Sequence, residues 1–269
     1  MTRNLTIFLL LVFVGCTSRP SQTVDNSTVK PDSTSSKNEI KKKAERLFDF
    51  YYSFAYETKF QLERTKFPLT IENYSKVYQT TKENWKQDSL FTKLEYITFI
   101  YDSHTKKFDY DEKLGNKAAF SWIYPSKGEI KNYYFIKEAD KWYLTKISIQ
   151  SFDNKNPESF IVFLQKFMSD SIFQKSRVKF PLTYLTFDDS NDESKEITKK
   201  LNPNDWNFNT VYDGLKFMTN FSSSWDTEIK ESENMLIYIG GVENGIYIRY
   251  FFKKLDNEWY LTKMSDESM

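Results

Sequence analysis

Apolar side chains recur at helical spacing in two stretches of the chain. Ile40, Ala44, Leu47, Phe48, Tyr51, Phe54 and Ala55 mark the first, and Phe160, Ile161, Phe163, Leu164, Phe167 and Met168 the second. Each stretch predicts one long amphipathic helix. Ser36-Lys37-Asn38-Glu39 is a capping box for the first, and Asn156 followed by Pro157 suits the start of the second. Both helices should end near Arg64 and Arg177. The Phe-Pro segments that follow push the residue before proline out of the helical region.

Beyond those segments the pattern changes to runs of β-branched and aromatic residues. Leu94–Tyr101 and Leu215–Phe221 read as strands. So do Lys117–Tyr124 with Glu129–Lys137, and Asn234–Ile239 with Ile246–Lys254, each pair flanking a turn rich in Gly, Pro, Ser or Asn. Tight connections lead to the last strands, Lys141–Ile149 and Glu258–Met264. A helix followed by a meander of strands is α+β, with a curved antiparallel sheet wrapped over the helix.

The two stretches are halves of a repeat. Lys66-Phe67-Pro68-Leu69-Thr70 returns 113 residues later as Lys179-Phe180-Pro181-Leu182-Thr183. Trp142-Tyr143-Leu144-Thr145-Lys146 returns after 117 as Trp259-Tyr260-Leu261-Thr262-Lys263, and Trp85 pairs with Trp206 at 121. Offsets that drift by a few residues mean a duplicated domain with loop changes, not a solenoid. The expected organisation is two tandem copies, 39–150 and 156–265. Each is long enough for its own core and should fold alone.

Residues 1–15 carry Arg3 and a ten-residue apolar run, Leu5–Val14, broken only by Thr6. That is about half the ~20 residues of a membrane-crossing helix and suits a cleaved signal peptide. Phe13-Val14-Gly15-Cys16 resembles the lipobox of bacterial lipoproteins, which implies a diacylated, palmitate-type anchor on Cys16. Thr17 is not the Asp that retains some lipoproteins at the inner membrane, so the resemblance implies the outer membrane. Residues 17–38 hold ten Ser/Thr, two Pro and no aromatic side chain, the composition of a disordered tether.

Composition then removes whole classes of chemistry. Without Arg3 the mature chain has 37 basic and 37 acidic side chains, which gives no footprint for nucleic acid. The single cysteine is used by the lipid, so disulfides, thiol nucleophiles and Cys-based zinc sites drop out. His104 is the only histidine and lies in a turn, so a His-cluster metal site is impossible. No phosphate-binding, dinucleotide or HExxH motif occurs. No cofactor, metal or catalytic set is expected. Aromatic residues make up 18% of the chain. They could line a pocket for a flat or sugar ligand, but Lys, Asn and Ile are raised too, and biased coding explains all of these together.

The shared Phe-Gln-x-x-Arg-x-x-Phe-Pro-Leu segments, Phe60–Leu69 and Phe173–Leu182, with the closing Trp-Tyr-Leu strand, resemble a domain-of-unknown-function lipoprotein family of anaerobic Gram-negative bacteria. The resemblance spans both copies. It implies a cone-shaped roll of the nuclear transport factor two-like (cystatin-like) kind and is silent about activity.

One constellation is a candidate site. Glu57, Gln61 and Arg64 correspond to Asp170, Gln174 and Arg177. On a continuous helix, positions +4 and +7 lie about 40° and −20° from the acid, so each set would share one stripe. One reading is an acid–amide–guanidinium set at the mouth of the cone, holding a carboxylate or a sugar. The other is a network fixing the helix end, with a buried Arg177 bonded to Gln174, Asp170 or strand carbonyls. The structural reading is preferred because the set travels with the Phe-Pro strand in both copies. Trp142 and Trp259 are expected in the core. Tyr133-Tyr134 and Tyr250-Phe251 point to opposite sheet faces and cannot form one platform. Two functions stay open. One is a non-enzymatic envelope module, joined to the membrane by its lipid, that binds a protein or glycan partner. The alternative is an acid/base enzyme of the isomerase or dehydratase type with Glu57 or Asp170 buried in the cone.

Overall fold

The computed structural model describes residues 44–90, 95–106, 115–152, 156, 158–188, 195–207 and 217–269. The leader, Cys16, the tether, the Ser36 capping box and the joint at 153–155 lie outside the described residues.

Each expected long helix is two short ones. In the first half α1 (Leu47–Tyr56) and α2 (Thr58–Glu63) meet at Glu57, whose backbone is extended at φ −106° and ψ 104°. In the second half α3 (Phe160–Ser169) and α4 (Ser171–Ser176) meet at Asp170, at φ −122° and ψ 108°. Asp170 Oδ1 accepts hydrogen bonds from the N–H groups of Ile172 and Phe173, at 3.0 and 2.9 Å. An Asp placed this way starts a new helix. The apolar spacing masks the break because buried residues flank it on both sides. The second helical stretch also starts later than expected. Ser159 Oγ caps α3 by accepting from Val162 N–H, while Asn156 Oδ1 accepts from Glu158 N–H one turn upstream. The helical stretches end at Glu63 and Ser176, beside Arg64 and Arg177 as the Phe-Pro segments require.

The strands of the first half are β1 (Thr65–Asn73), β2 (Lys76–Thr80), β3 (Tyr96–Tyr101), β4 (Lys117–Tyr124), β5 (Glu129–Glu138) and β6 (Lys141–Ser151). The second half repeats the order with β7 (Val178–Asp188), β8 (Lys195–Leu201), β9 (Met218–Ser222), β10 (Asn234–Gly241), β11 (Tyr247–Leu255) and β12 (Glu258–Asp266). β2 and β8 had no counterpart in the sequence pattern. They are largely exposed, Lys-bearing edge strands with no buried face to create an alternation. The sheets are mixed rather than antiparallel throughout. β1 lies parallel to β6, and β7 parallel to β12, with a register break where Pro68 and Pro181 sit. Both Phe-Pro bonds are cis. A meander reading pairs only sequence neighbours and misses these long-range partners.

The larger departure concerns β3 and β9. One sheet runs β2-β1-β6-β5-β4-β9 and the other β3-β10-β11-β12-β7-β8. Each half therefore lends one strand to the sheet of the other. Thr219 of β9 sits opposite Trp122 of β4, and Thr98 of β3 opposite Ile239 of β10. Thr98 and Thr219 are 121 residues apart, Trp122 and Ile239 are 117 apart, so the two exchanges use one register. Where the lent strands meet, Thr98 and Thr219 bond each other reciprocally. Each hydroxyl accepts from the other's N–H, at 2.7 Å both ways, and donates to the other's carbonyl, at 2.6 and 2.9 Å. Both residues are buried. Residues 43–269 accordingly form one compact unit, and the joint carries shared elements that the expectation of two self-sufficient copies left out.

Each helix pair packs on its own half's sheet. Phe50, Tyr51 and Phe54 surround Phe135 at ring distances of 5.4, 5.0 and 5.7 Å, while Phe160, Phe163 and Phe167 surround Phe252 at 5.3, 5.6 and 5.3 Å. Such edge-on contacts add to the burial of large apolar side chains. The second core also takes in Ile100, Ile123 and Ile130 from the first half.

Candidate functional site

The two glutamines of the candidate sets are structural pins. The helix break frees carbonyls at the end of the first helix of each half, and a buried carbonyl needs a donor. Gln61 Nε2 donates to Phe54 O and Asp88 O, both at 2.8 Å, while its Oε1 accepts from Trp85 Nε1 at 3.0 Å and Asp88 N at 2.8 Å. All four bonding positions of the amide are filled. Gln174 repeats this with Phe167 O at 3.1 Å and Trp206 Nε1 at 3.1 Å. The Trp85/Trp206 pair recurs because each indole anchors on this amide.

The acids and guanidiniums do not form a set with those amides. Glu57 is exposed, and its side chain makes no cap bond. Asp170 is consumed as a helix cap. Arg64 turns away from Glu57 and takes Glu45 in a two-pronged pair, with both N–O distances 2.9 Å, and also donates to Trp142 O at 3.1 Å. Glu45 in turn accepts from Trp142 N–H at 2.7 Å. Arg177 pairs with Glu258 instead, at 2.6 and 2.5 Å. Its guanidinium takes Glu258 rather than Asp170 or the Gln174 amide, and Glu258 is half exposed. The hydrogen bond from Arg177, followed by that from Tyr260, lowers the Glu258 carboxyl from 4.5 to about 2. In both halves the guanidinium fastens the helix end to the last strand, through different carboxylates.

His104 has an equally structural task. Its Nε2 lies 2.7 Å from Phe252 O and 3.2 Å from Met235 O, so the proton must sit on Nε2 to serve two acceptors. Phe252 marks a bulge where β11 slips against β12. The residue 121 positions on is Trp225, whose Nε1 donates to Phe135 O at 2.8 Å, at the matching bulge of β5 against β6. The carbonyl before each bulge is taken by the Thr of the Trp-Tyr-Leu-Thr motif, Thr145 to Tyr134 O and Thr262 to Phe251 O. Each half's loop is thus pinned onto the other half's bulge. Trp142 and Trp259 are in the core, as expected.

A cluster that the sequence did not reveal joins Asp88, Lys131 and Tyr133. Asp88 Oδ2 accepts from Lys131 Nζ at 2.7 Å and from Tyr133 OH at 2.6 Å, and Oδ1 accepts from Leu90 N–H. Burial pushes this carboxyl up, but the Lys131 charge and the three donors outweigh it and leave it below the usual range. Burial, then the Asp88 charge, raises the Tyr133 phenol well above its ordinary value. Glu231 is the carboxyl raised by burial, and it accepts from Phe160 N–H at 2.6 Å at the start of α3. Among the described residues no three His, Cys, Asp or Glu side chains are placed to hold a metal, and no helix is long and apolar enough to cross a membrane.

Open space lies elsewhere. A half-open groove of about 600 Å³ sits where the lent strands and the 222–230 segment meet. Ser121 of β4, Asn220 and Phe221 of β9, Phe48 and Thr227 line it. A second recess of about 530 Å³, on the other side of the same segment, is lined by Trp225, Ile229, Glu231 and Gln150. None of the candidate residues Glu57, Gln61, Arg64, Asp170, Gln174 or Arg177 lines either one. The signal that could have found the groove is a comparison of the halves at fixed offsets, which sets Ser121 against Tyr238 and Asn220 against Phe99.

The family described as a domain of unknown function (DUF4348) matches residues 28–266. The crystal structure of an NTF2-like protein from Bacteroides fragilis superposes with a TM-score of 0.71 at 27% identity, covering 83% of this chain and 96% of that one. An NMR structure of a protein from Bacteroides uniformis is 25% identical over 39% of this chain and 74% of its own, with a TM-score of 0.27. No curated protein matches.

Proposed function

Because the chain belongs to the DUF4348 family and has an NTF2-like α+β fold, we propose that it is a lipid-anchored envelope protein whose folded part binds a protein or glycan partner without transforming it. Cys16 carries the anchor, residues 17–38 are the tether, and two copies of one unit, exchanged through β3 and β9, make the binding body. The outer membrane is the proposed address. One observation carries the binding reading: the buried polar groups that could do chemistry are occupied in holding the fold together, and the acids Asp102 and Asp226 that line the groove of about 600 Å³ are already paired with Lys106 and Lys230. Gln61 has no free position, Asp170 caps a helix, and His104 holds a bulge. The acid/base alternative needs a carboxyl raised by burial and open to substrate. Glu231 is raised, but it is tied to Phe160 N–H. Asp88 is held low by Lys131.

The test uses the mature chain without lipid, immobilised and exposed to envelope extract in parallel after protease and after periodate treatment. Retention of a component sensitive to one of these treatments is expected. Retention of nothing, or release of a chemically altered component, overturns the binding reading. The anchor is tested by labelling cells with a clickable fatty acid. Wild-type chain that takes up no label, or Cys16→Ala that takes up as much, overturns it.

A further inference from the structure

We propose that the groove beside Ser121 and Asn220 is a binding site for a neutral oligosaccharide. The inference rests on the binding reading above and specifies its ligand.

Two equivalent places in the fold differ. Ser121 and Asn220 face each other across β4 and β9. The equivalent pair across β10 and β3 is Tyr238 and Phe99. There the space is filled by rings: Phe99 stacks on Tyr238 at 5.7 Å, and Tyr238 packs on Tyr247 at 5.0 Å. On the Ser121 side the same backbone register carries two small polar side chains and a groove of about 600 Å³, inside the ~300–1,000 Å³ of small-ligand sites. The scaffold tolerates closure, as one side demonstrates. On the other side the same positions carry Ser121, whose hydroxyl donates to Asn132 Oδ1 at 2.6 Å, and Asn220, and neither fills the space.

The lining then selects the ligand. Its charges are already neutralised in pairs, Asp102 with Lys106 and Asp226 with Lys230, each at 3.0 Å. Glu228 adds one further negative charge, which opposes an anion. Hydroxyls and an amide supply the remaining polarity: Ser121, Asn220, Ser222, Ser223, Ser224 and Thr227. Asn220 Oδ1 accepts from Ile100 N–H at 3.0 Å, which leaves its NH2 group as the donor for a ligand. Phe48 and Phe221, with ring centres 5.5 Å apart, give the apolar surface on which the C–H face of a sugar ring packs. An extended peptide would need a free strand edge here. The outer edge of β9 is engaged instead at Thr219 by Thr98, and Ile100 N–H takes the Asn220 side chain beside it. A neutral ligand with a hydroxyl rim and an apolar face fits these demands.

The experiment titrates the lipid-free mature chain with maltotriose, cellotriose, mannotriose and chitotriose, read by saturation-transfer NMR and by melting temperature. At least one should bind. Ser121→Tyr with Asn220→Phe copies the filled side and should weaken that binding tenfold or more. Ser223→Ala with Thr227→Ala, on the exposed segment, should weaken it at least threefold at unchanged melting temperature, and it decides the matter if the filling variant does not fold. No binding of any trisaccharide to wild type overturns the ligand class. Binding that survives both variants overturns the site. The envelope-extract result separates the two proposals. Retention of only a protease-sensitive component leaves the binding reading standing and removes the saccharide, whereas retention of nothing removes the binding reading itself.

Discussion

Replacing Thr98 with valine tests the exchange of strands at its centre. The substitution keeps shape and removes one hydroxyl. That hydroxyl now donates to Thr219 O and accepts from Thr219 N–H. Both backbone groups would be left without partners in a site where Thr219 is 1% exposed. A buried donor or acceptor left unsatisfied costs about 1–3 kcal/mol, so the pair costs about 2–6 kcal/mol. For a unit of this size about 2–4 °C is lost per kcal/mol, which places the drop in melting temperature between roughly 4 and 24 °C. Thr219→Val should do the same from the other side, by orphaning Thr98 N–H and O. The double variant should fall short of the sum, because the two residues share one network and water enters once either strand loosens. Thr98→Ser keeps the oxygen and should cost far less. Thermal melts and urea titrations of the four variants measure all of this. A Thr98→Val chain melting within about 2 °C of wild type would refute the claim that this junction holds the halves together.

Three further outcomes follow from the same geometry. Residues 156–269 alone lack β3, so the edge of β10 is bare, and sedimentation should show a dimer closed by β9 of a second copy or an aggregate; a monomer with a cooperative melt would contradict this. Arg64 is 13% exposed and carries three bonds, so Arg64→Met should cost about 2–3 kcal/mol, between the surface and buried limits. Arg177→Met should cost less, with a loss that fades in 0.5 M salt, and a larger effect at Arg177 would reverse the assignment. The lowered Glu258 carboxyl works in one direction: its contribution is complete above its ordinary value of 4.5 and is lost as pH falls toward 2. The melting difference between wild type and Glu258→Gln should therefore be constant above pH 5 and shrink on acidification; a difference that persists at pH 2 would remove Glu258 as its source.

Local rules made much of this architecture legible. β4 was bounded correctly because Lys117–Tyr124 is a dense apolar run closed by a Pro-Ser-Lys-Gly turn. The ends of the helical stretches followed from the Phe-Pro segments. What failed was non-local. Nothing in Tyr96–Tyr101 states which sheet it will join, since a strand pairs through its backbone and the apolar alternation suits either half. The parallel pairing of β1 with β6 has the same cause. The Glu57 and Asp170 breaks were hidden because a one-residue kink preserves the buried face. The candidate site failed through that kink: the stripe of Glu57, Gln61 and Arg64 assumed a straight helix, and with the helix broken the three side chains serve separate tasks.

A chain with two matching halves carries its own control. Where both halves keep a residue, the structure supplies a mechanical reason: Gln61 and Gln174 close the carbonyls of a broken helix, and Thr145 and Thr262 close a bulge. Where a task is kept but the residue differs, the fold has found two solutions. His104 and Trp225 both donate to a bulge carbonyl. Arg64 and Arg177 each find a carboxylate, one before the first helix and one at the start of the last strand, and position 141 is Lys where 258 is Glu. The charge has moved while the clamp has stayed. The pair Ser121 and Asn220 belongs to neither group. Its counterpart fills space with stacked rings and buries them, a gain of apolar contact that the first half forgoes. In place of that contact Ser121 donates to the buried Asn132 Oδ1 and Asn220 Oδ1 accepts from Ile100 N–H. Those two bonds use the Ser121 proton and one Asn220 oxygen and leave the groove beside them open, at a register position that the other half closes with rings.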